Sequence, residues 1–469
     1  MKMNKFFAAL VAATMVLASC NKDETGGGLT SGEETFAGVS ISIPLPLTQR
    51  AGAEDASAAT AAESLISNVG VFVVDHTANT VDKLYLSSGS DFTFNPTTGI
   101  ATAQKAVRTT TGVKSIYVVT NYTGVQATID LMGAAAFGNN AIALTEDSFK
   151  TDPLTNMTMV GKEDVNLDVQ SETDALIPAN LVDIDLYRNL AKVIVRHEAA
   201  TTPVTGGKHE ANSLAFGLIS KAKGAWLYNT PTTTTTDATA TAYTGVPASA
   251  AGSSTDAYWA NFSANVLGTG TPSNAFYKPV NALGGGANPY QTYAGWYCHE
   301  NIYAVRGQGY ELYAGNTTAA RIRGKFIPDA MVTAFDATGS RTTDNTFSAT
   351  NNTAVSFYRL YDGSYWNETA YTSATAATPG TPGYIAATAF SSKYVDGMGY
   401  YRIIVMDGDR VPGVKRNNYY DLAITSIDGP GSPTEEPADV IIPLDEESYI
   451  SVNVTVKPWW RQTTGHVIQ

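Results

Sequence analysis

Phe36-Ala37-Gly38-Val39-Ser40-Ile41-Ser42-Ile43-Pro44-Leu45 alternates apolar with small or polar residues, and its reading decides the fold. Side chains alternate across a β-strand, so Val39, Ile41, Ile43 and Leu45 share one face and Ser40 and Ser42 the other. Pro44 and Pro46 cannot donate ladder hydrogen bonds, which predicts a place at a sheet edge. Two further signals flank this strand. Before it, Leu17-Ala18-Ser19-Cys20 closes an apolar segment; after it, Arg50 stands alone ahead of the small residues Ala51-Gly52-Ala53. An anchor, a strand and an accessible arginine, in that order, read as a strand built to be cut away. Its loss would open an apolar groove with unpaired backbone groups, a surface that must be refilled. The natural refill is a strand from another copy of the chain.

Lys2 and Lys5 precede the apolar run Phe6–Leu17, the pattern of a secretory signal. The run is shorter than the roughly 20 apolar residues a spanning helix needs. Its Leu-Ala-Ser-Cys ending is similar to a bacterial lipobox, so Cys20 is expected to carry lipid, with residues 21–28 as a flexible tether. The only other cysteine, Cys298, is then without a partner for an intrachain disulfide. Stability must come from buried area, and 469 residues suffice for two domains. Charged residues make up only 16%, and the chain carries 30 basic against 43 acidic residues, a net −13. Within residues 1–50, Lys2, Lys5, Lys22 and Arg50 balance Asp23, Glu24, Glu33 and Glu34, so the part from Ala51 also carries −13. An acidic surface argues against nucleic acid and anionic lipid as partners.

Strands are expected throughout. Residues 68–75 and 113–120 are strongly apolar, 181–198 alternate around the interruption Arg188-Asn189, and 213–220 close the first half. Composition shifts at Asn229 into a Thr/Ala/Asp-rich stretch, where a linker or long loop is expected. The division is then a signal peptide over 1–19, a lipidated propeptide over 20–50, an N-terminal β-domain over 51–228 and a C-terminal one over 229–469. Helix patterns are scarce. Near the end, Ile450-Ser451-Val452-Asn453-Val454-Thr455-Val456-Lys457 alternates again, followed by Pro458-Trp459-Trp460 and a short tail containing Val467 and Ile468. Residues 450–469 are therefore the counterpart of the first strand, with Ile450, Val452, Val454, Val456, Val467 and Ile468 as candidates for donation and Trp459 and Trp460 for interface packing.

The chain resembles the type V pilins of Bacteroidales, of the FimA/Mfa-like kind, especially shaft subunits of the minor fimbrium. The resemblance rests on the lipobox at Cys20, on Arg50-Ala51, and on motifs in a fixed order. These include Arg188-Asn189-Leu190-Ala191-Lys192-Val193, Tyr297-Cys298-His299-Glu300-Asn301, Gly324-Lys325-Phe326-Ile327-Pro328, Asp396-Gly397-Met398-Gly399-Tyr400-Tyr401-Arg402, Val414-Lys415-Arg416-Asn417-Asn418-Tyr419-Tyr420 and Val454-Thr455-Val456-Lys457-Pro458-Trp459. It implies two tandem transthyretin-like β-sandwich domains with Greek-key type antiparallel sheets. It also implies a lipidated precursor at the outer membrane and cleavage after Arg50 by an arginine-specific surface protease. A neighbour's C-terminal strand would then fill the groove, as extended segments add to sheets in other systems. The implied partners are further copies of the chain, anchor and tip fimbrial subunits, and adhesion receptors on host or bacterial cells, in a fimbrium supporting adhesion and biofilm formation. A tip or accessory adhesin of the same family is the first alternative and a non-polymerising glycan-binding lipoprotein the second.

Enzymatic chemistry comes last. The five histidines His76, His197, His209, His299 and His466 show no metal-ligand spacing. Cys298 and His299, adjacent on a strand, point to opposite faces. Asp407-Gly408-Asp409 lacks the later ligands of a calcium loop and reads as a turn. No nucleophile elbow or phosphate loop is present. No cofactor or metal is expected. The aromatic clusters 290–297 and 358–366 suit sandwich cores better than a ligand platform.

Overall fold

The computed structural model describes residues 32–43, 62–226 and 277–458, apart from short internal stretches, the longest being 144–155, 283–292, 303–316 and 436–449. The described residues are mostly β, in the all-β class, built mainly from two sandwiches and a smaller inserted sheet, with two minor sheets and few, short helices.

The first sandwich is made of β1 (Glu34–Ser42), β2 (Asn68–Asp75), β3 (Thr80–Ser87), β4 (Phe92–Asn95), β5 (Ile100–Ala103), β6 (Val107–Thr110), β7 (Gly112–Thr120), β8 (Met159–Leu167), β9 (Leu181–Asp185) and β10 (Tyr187–Arg188). One sheet runs β9-β1-β5-β4, with β6 also on β1; the other runs β10-β8-β7-β2-β3. β2 is apolar on both faces because both are covered. Val69, Val71 and Val73 enter the core between the sheets, while Phe72 and Val74 pack outward with Tyr117, Met132 and Phe137.

β1 departs from the expected edge position. It is interior, with β9 on one side and β5 and β6 on the other. The prolines do not prevent this because the strand ends at Ser42, ahead of Pro44. A second departure is its parallel pairing with β9, where an antiparallel fold was expected.

The second sandwich begins earlier than the expected boundary at 228/229. β11 (Ala191–His197) already lies in its first sheet, followed by β12 (Val204–Thr205), β13 (Gly207–His209), β14 (Ala215–Ile219), β15 (Lys278–Pro279), β16 (Gly295–Cys298) and β17 (Ala319–Pro328). The inserted sheet follows as β18 (Met331–Phe335), β19 (Arg341–Asp344), β20 (Phe357–Leu360), β21 (Tyr365–Asn367) and β22 (Phe390–Tyr394), and β23 (Met398–Ile404), β24 (Asn418–Asp428) and β25 (Ile450–Pro458) complete the sandwich. One sheet holds β25, β24, β11 and β16, with β12 continuing beside β24; the other runs β13-β17-β14-β15 with β23 on β17. Composition marked residue 229 as a break, but pairing carries 191–219 into the second sandwich, where Ala191, Val193 and Val195 bury against Leu422 and Ile424.

Between β17 and β23 the inserted sheet, ordered β19-β18-β21-β20-β22, carries a helix, Glu368–Ala376, and its own core around Trp366, Tyr371 and Ala374. Asn367 caps this helix by accepting from the Ala370 amide at 2.7 Å. Residues 384–389 are irregular, and pairing of the last strand of this sheet starts at Phe390.

Candidate functional site: the slot of the first strand

Alternation places Ala37, Val39, Ile41 and Ile43 in the core of the first sandwich, each no more than 2% exposed, against Val71, Phe92, Ile116, Val182 and Ile184. The opposite face carries Ser40 and Ser42, both half-buried. Backbone pairing is two-sided. Gly38–Ser42 match Leu181–Asp185 of β9 in parallel, Ser40–Ser42 match Ile100–Thr102, and Glu34–Ala37 match Val107–Thr110. The Ile43 amide donates to Gly99 O at 3.0 Å, and the Leu186 amide to Ser42 O at 2.7 Å, which closes the downstream end.

A polar clasp holds the upstream end. The Thr35 hydroxyl, fully buried, donates to Asp168 O at 2.6 Å and accepts from the Gln170 amide at 2.9 Å. Asn180, 1% exposed, spends its side-chain amide on Phe36 O at 2.9 Å and Asp168 O at 2.8 Å, while its own carbonyl accepts from Gly38 N at 3.0 Å. The aliphatic face follows from local alternation, whereas Thr35, Gly38 and Asn180 do not announce themselves in the sequence: the contacts that join Thr35, Phe36 and Gly38 to Asp168, Gln170 and Asn180 span more than a hundred residues.

Burying Val39, Ile41 and Ile43 is worth about 5–9 kcal/mol, at about 1.5–3 each. Each main-chain bond adds on the order of 0.5–1.5 kcal/mol, and a partner left unpaired in the interior costs more. Taking β1 away would therefore bare an apolar channel and orphan backbone groups on β9, β5 and β6 together. A channel of that kind accepts an extended chain and little else.

At the other end of the chain, β25 pairs with β24 from Ile427↔Ile450 to Asn418↔Pro458. Ile450 is buried, Val452 and Val454 pack half-buried on the second core, and Ser451, Asn453 and Thr455 face out. Among the described residues β24 is its only ladder partner. Val456 is placed on the β25 backbone. Cys20, Leu45, Arg50, Ala51, Trp459, Trp460, Val467 and Ile468 lie outside the described residues.

Between the sandwiches sits a buried charged junction. Glu63, in the short turn Ala62–Ser64, lies 2.9 Å from Lys192 Nζ and accepts from the Tyr297 hydroxyl. Arg188 donates from Nε to Glu63 O at 3.3 Å and from Nη2 to Ser64 Oγ at 3.0 Å. Burial pulls the Arg188 guanidinium down to about 10, still cationic at neutral pH. Two cations inside the apolar run 188–195 were the sequence signal that a buried acid had to exist nearby.

Burial pushes the Cys298 thiol up to about 12, so it is not a nucleophile at neutral pH. Burial pushes the neighbouring His299 ring down to about 3. Asp407 takes Lys415 Nζ at 2.6 Å and the Tyr420 hydroxyl at 3.2 Å. Trp296, Tyr297 and Trp366 are core residues, Tyr358 stacks on Tyr371 at 3.9 Å, and in the 358–366 cluster Tyr361 stands out at 77% exposed. Among the described residues no three His, Cys, Asp or Glu side chains gather as a metal set.

Residues 392–464 match the family model described as major fimbrial subunit protein type IV, fimbrillin, C-terminal. Among solved structures the chain is similar to a candidate cell adhesion protein from Parabacteroides distasonis, at 15% identity over 92% of this chain and 100% of that one, with a TM-score of 0.47. It is similar to fimbrilin (FimA) from Porphyromonas gingivalis, at 16% identity over 91% and 98%, with a TM-score of 0.45. A third similar structure is the tip fimbrial protein Mfa3 from Porphyromonas gingivalis with a C-terminal truncation, at 14% identity over 91% and 100%, with a TM-score of 0.38. No curated protein matches the chain at a significant level.

Proposed function

We propose that this chain is a structural shaft subunit of a type V fimbrium. It is exported as a precursor lipidated at Cys20, cut between Arg50 and Ala51 by an arginine-specific surface protease, and polymerised when a neighbour's C-terminal segment takes the place of β1. Its partners are further copies of itself and the anchor and tip subunits, and the fibre serves adhesion and biofilm formation. The fimbrillin match over 392–464 supports a fimbrial subunit. The observation that carries the assembly reading is the position of β1, an interior core strand supplied entirely from the N-terminal side of Arg50.

The donor comes from residues 450–469. Either β25 peels from β24 and brings Ile450, Val452, Val454 and Val456, or the tail with Val467 and Ile468 is donated while β25 stays. Four aliphatics contribute roughly 6–12 kcal/mol, against about 4–15 kcal/mol for association. A durable fibre therefore draws on further packing, for which Trp459 and Trp460 are the nearest large side chains in the sequence.

The test compares the unlipidated precursor, residues 21–469, with residues 51–469. In mild SDS the shorter chain is expected to run as a ladder and the precursor as a monomer. Ladders from both, or from neither, would contradict assembly triggered by loss of the first strand.

A further inference from the structure

The slot is roofed as well as flanked. The short turn Asp174–Leu176 crosses the outward face of β1, and a Cβ on Gly38 would stand 2.3 Å from Ala175 O and 3.3 Å from Leu176 Cδ2. Ala175 is fully buried. The turn is tied down through Ser171, whose carbonyl accepts from Ala175 N at 2.9 Å and whose hydroxyl donates to Asp174 Oδ2 at 2.7 Å. Gly38 is thus required for space under a fixed roof, not for an unusual backbone angle. Three residues earlier the Thr35 hydroxyl fills the polar clasp made by Asp168 O, the Gln170 amide and Asn180.

We propose that roof and clasp together set the register of whatever strand occupies the slot. The occupant must lack a side chain at the Gly38 position and must offer a hydrogen-bonding side chain at the Thr35 position. For the fibre this rests on the exchange reading above, and it selects between the two donors. β25 contains no glycine, and each of its outward residues would drive a Cβ into Ala175 O. After β25 the sequence holds one glycine, Gly465.

The incoming occupant is therefore Arg461–Gln469 of a second copy, with Gly465 beneath the roof. Laid in the direction of β1, this register puts Gln462 into the clasp at the Thr35 position. It also puts Thr464 at Ala37, His466 at Val39 and Ile468 at Ile41, with Val467 outward beside Ser40. The opposite direction would set Ile468 at the Thr35 position, leaving the Asp168, Gln170 and Asn180 groups of the clasp without a hydrogen-bonding side chain, and is the poorer fit. The roof thus turns two adjacent aliphatics into unequal ones: Ile468 is buried on binding and Val467 is not.

Two measurements test this. In the uncut precursor, Gly38→Ala is expected to lower Tm by several degrees and the neighbouring outward Ser40→Ala by little. Equal, small shifts would overturn the roof. Full-length precursors carrying Gly465→Ala, Ile468→Ser or Val467→Ser are then cut after Arg50 and their ladders followed in time. Gly465→Ala and Ile468→Ser are expected to slow ladder formation roughly tenfold, with Val467→Ser close to wild type. Wild-type rates for Gly465→Ala, or Val467→Ser as the more damaging change, would overturn the register. A cut wild-type chain that never ladders defeats the exchange reading itself, and the Gly38→Ala result still decides the roof.

Discussion

The first and last strands of the described chain bury aliphatics by the same alternation and are held in opposite ways. β1 is paired along both edges, clasped at Thr35 and covered at Gly38. Among the described residues β25 is paired with β24 alone, with Val452 and Val454 half-buried. The strand that precedes the proposed cut is held from both sides, and the strand near the proposed donor from one side among the described residues. Difficulty of removal, not hydrophobicity, separates them. On the proposed reading, a sandwich that loses an interior strand is stable only once the slot is refilled, which would link cleavage to the demand for a partner.

The largest expected effect comes from never supplying the strand. A precursor lacking residues 34–42 is expected to lose the cooperative unfolding of its first sandwich while the second still melts cooperatively, as read by calorimetry. Two intact transitions would break the contrast. Next, Glu63→Gln leaves Lys192 buried without its carboxylate, an expected loss of about 3–5 kcal/mol. Denaturant titration of the precursor checks this, and it matters to the contrast because Glu63 lies in the part of the chain that remains after Arg50. A smaller effect separates the strands directly. Ile41→Ala is expected to cost about 2–5 kcal/mol and Val454→Ala about 1 kcal/mol in the same titration; equal costs would erase the difference between interior and edge.

The smallest effect is in pH. Burial pushes the His209 ring, in β13, down to about 4, with Nε2 3.2 Å from the Tyr401 hydroxyl. The unfolded chain takes up that proton near the ordinary histidine value of about 6.5. The contribution of His209 is therefore full above about 6.5 and is lost as pH falls toward about 4. Stability measured at pH 7.5 and 4.5 is expected to fall less in His209→Gln than in the wild type. Identical falls would remove His209 as a cause.

The aliphatic faces of β1 and β25 were legible because alternation is local: Val39, Ile41 and Ile43 could face one way only. The apolar centre of β2 was legible for the same reason. What escaped was set by distant chain. The interior place of β1 depends on β9, far along the sequence, and the prolines that suggested an edge fall beyond the strand. The domain boundary followed strand pairing at Ala191 and not the composition change at Asn229. The clasp and roof are made by residues 168–180, and nothing in the local pattern of Thr35 or Gly38 announces them.

The most direct test locks the first strand in place. Ser42 and Asp185 are register partners on β1 and β9, joined by a 2.6 Å side-chain hydrogen bond. Ser42→Cys with Asp185→Cys in residues 21–469 allows the strand to be tethered by oxidation and freed by reduction. After cleavage following Arg50, the oxidised protein is expected to stay monomeric and to form ladders once reduced. Ladders of equal yield from the oxidised, tethered chain would contradict the removal of β1 as the step that opens the chain to its neighbour.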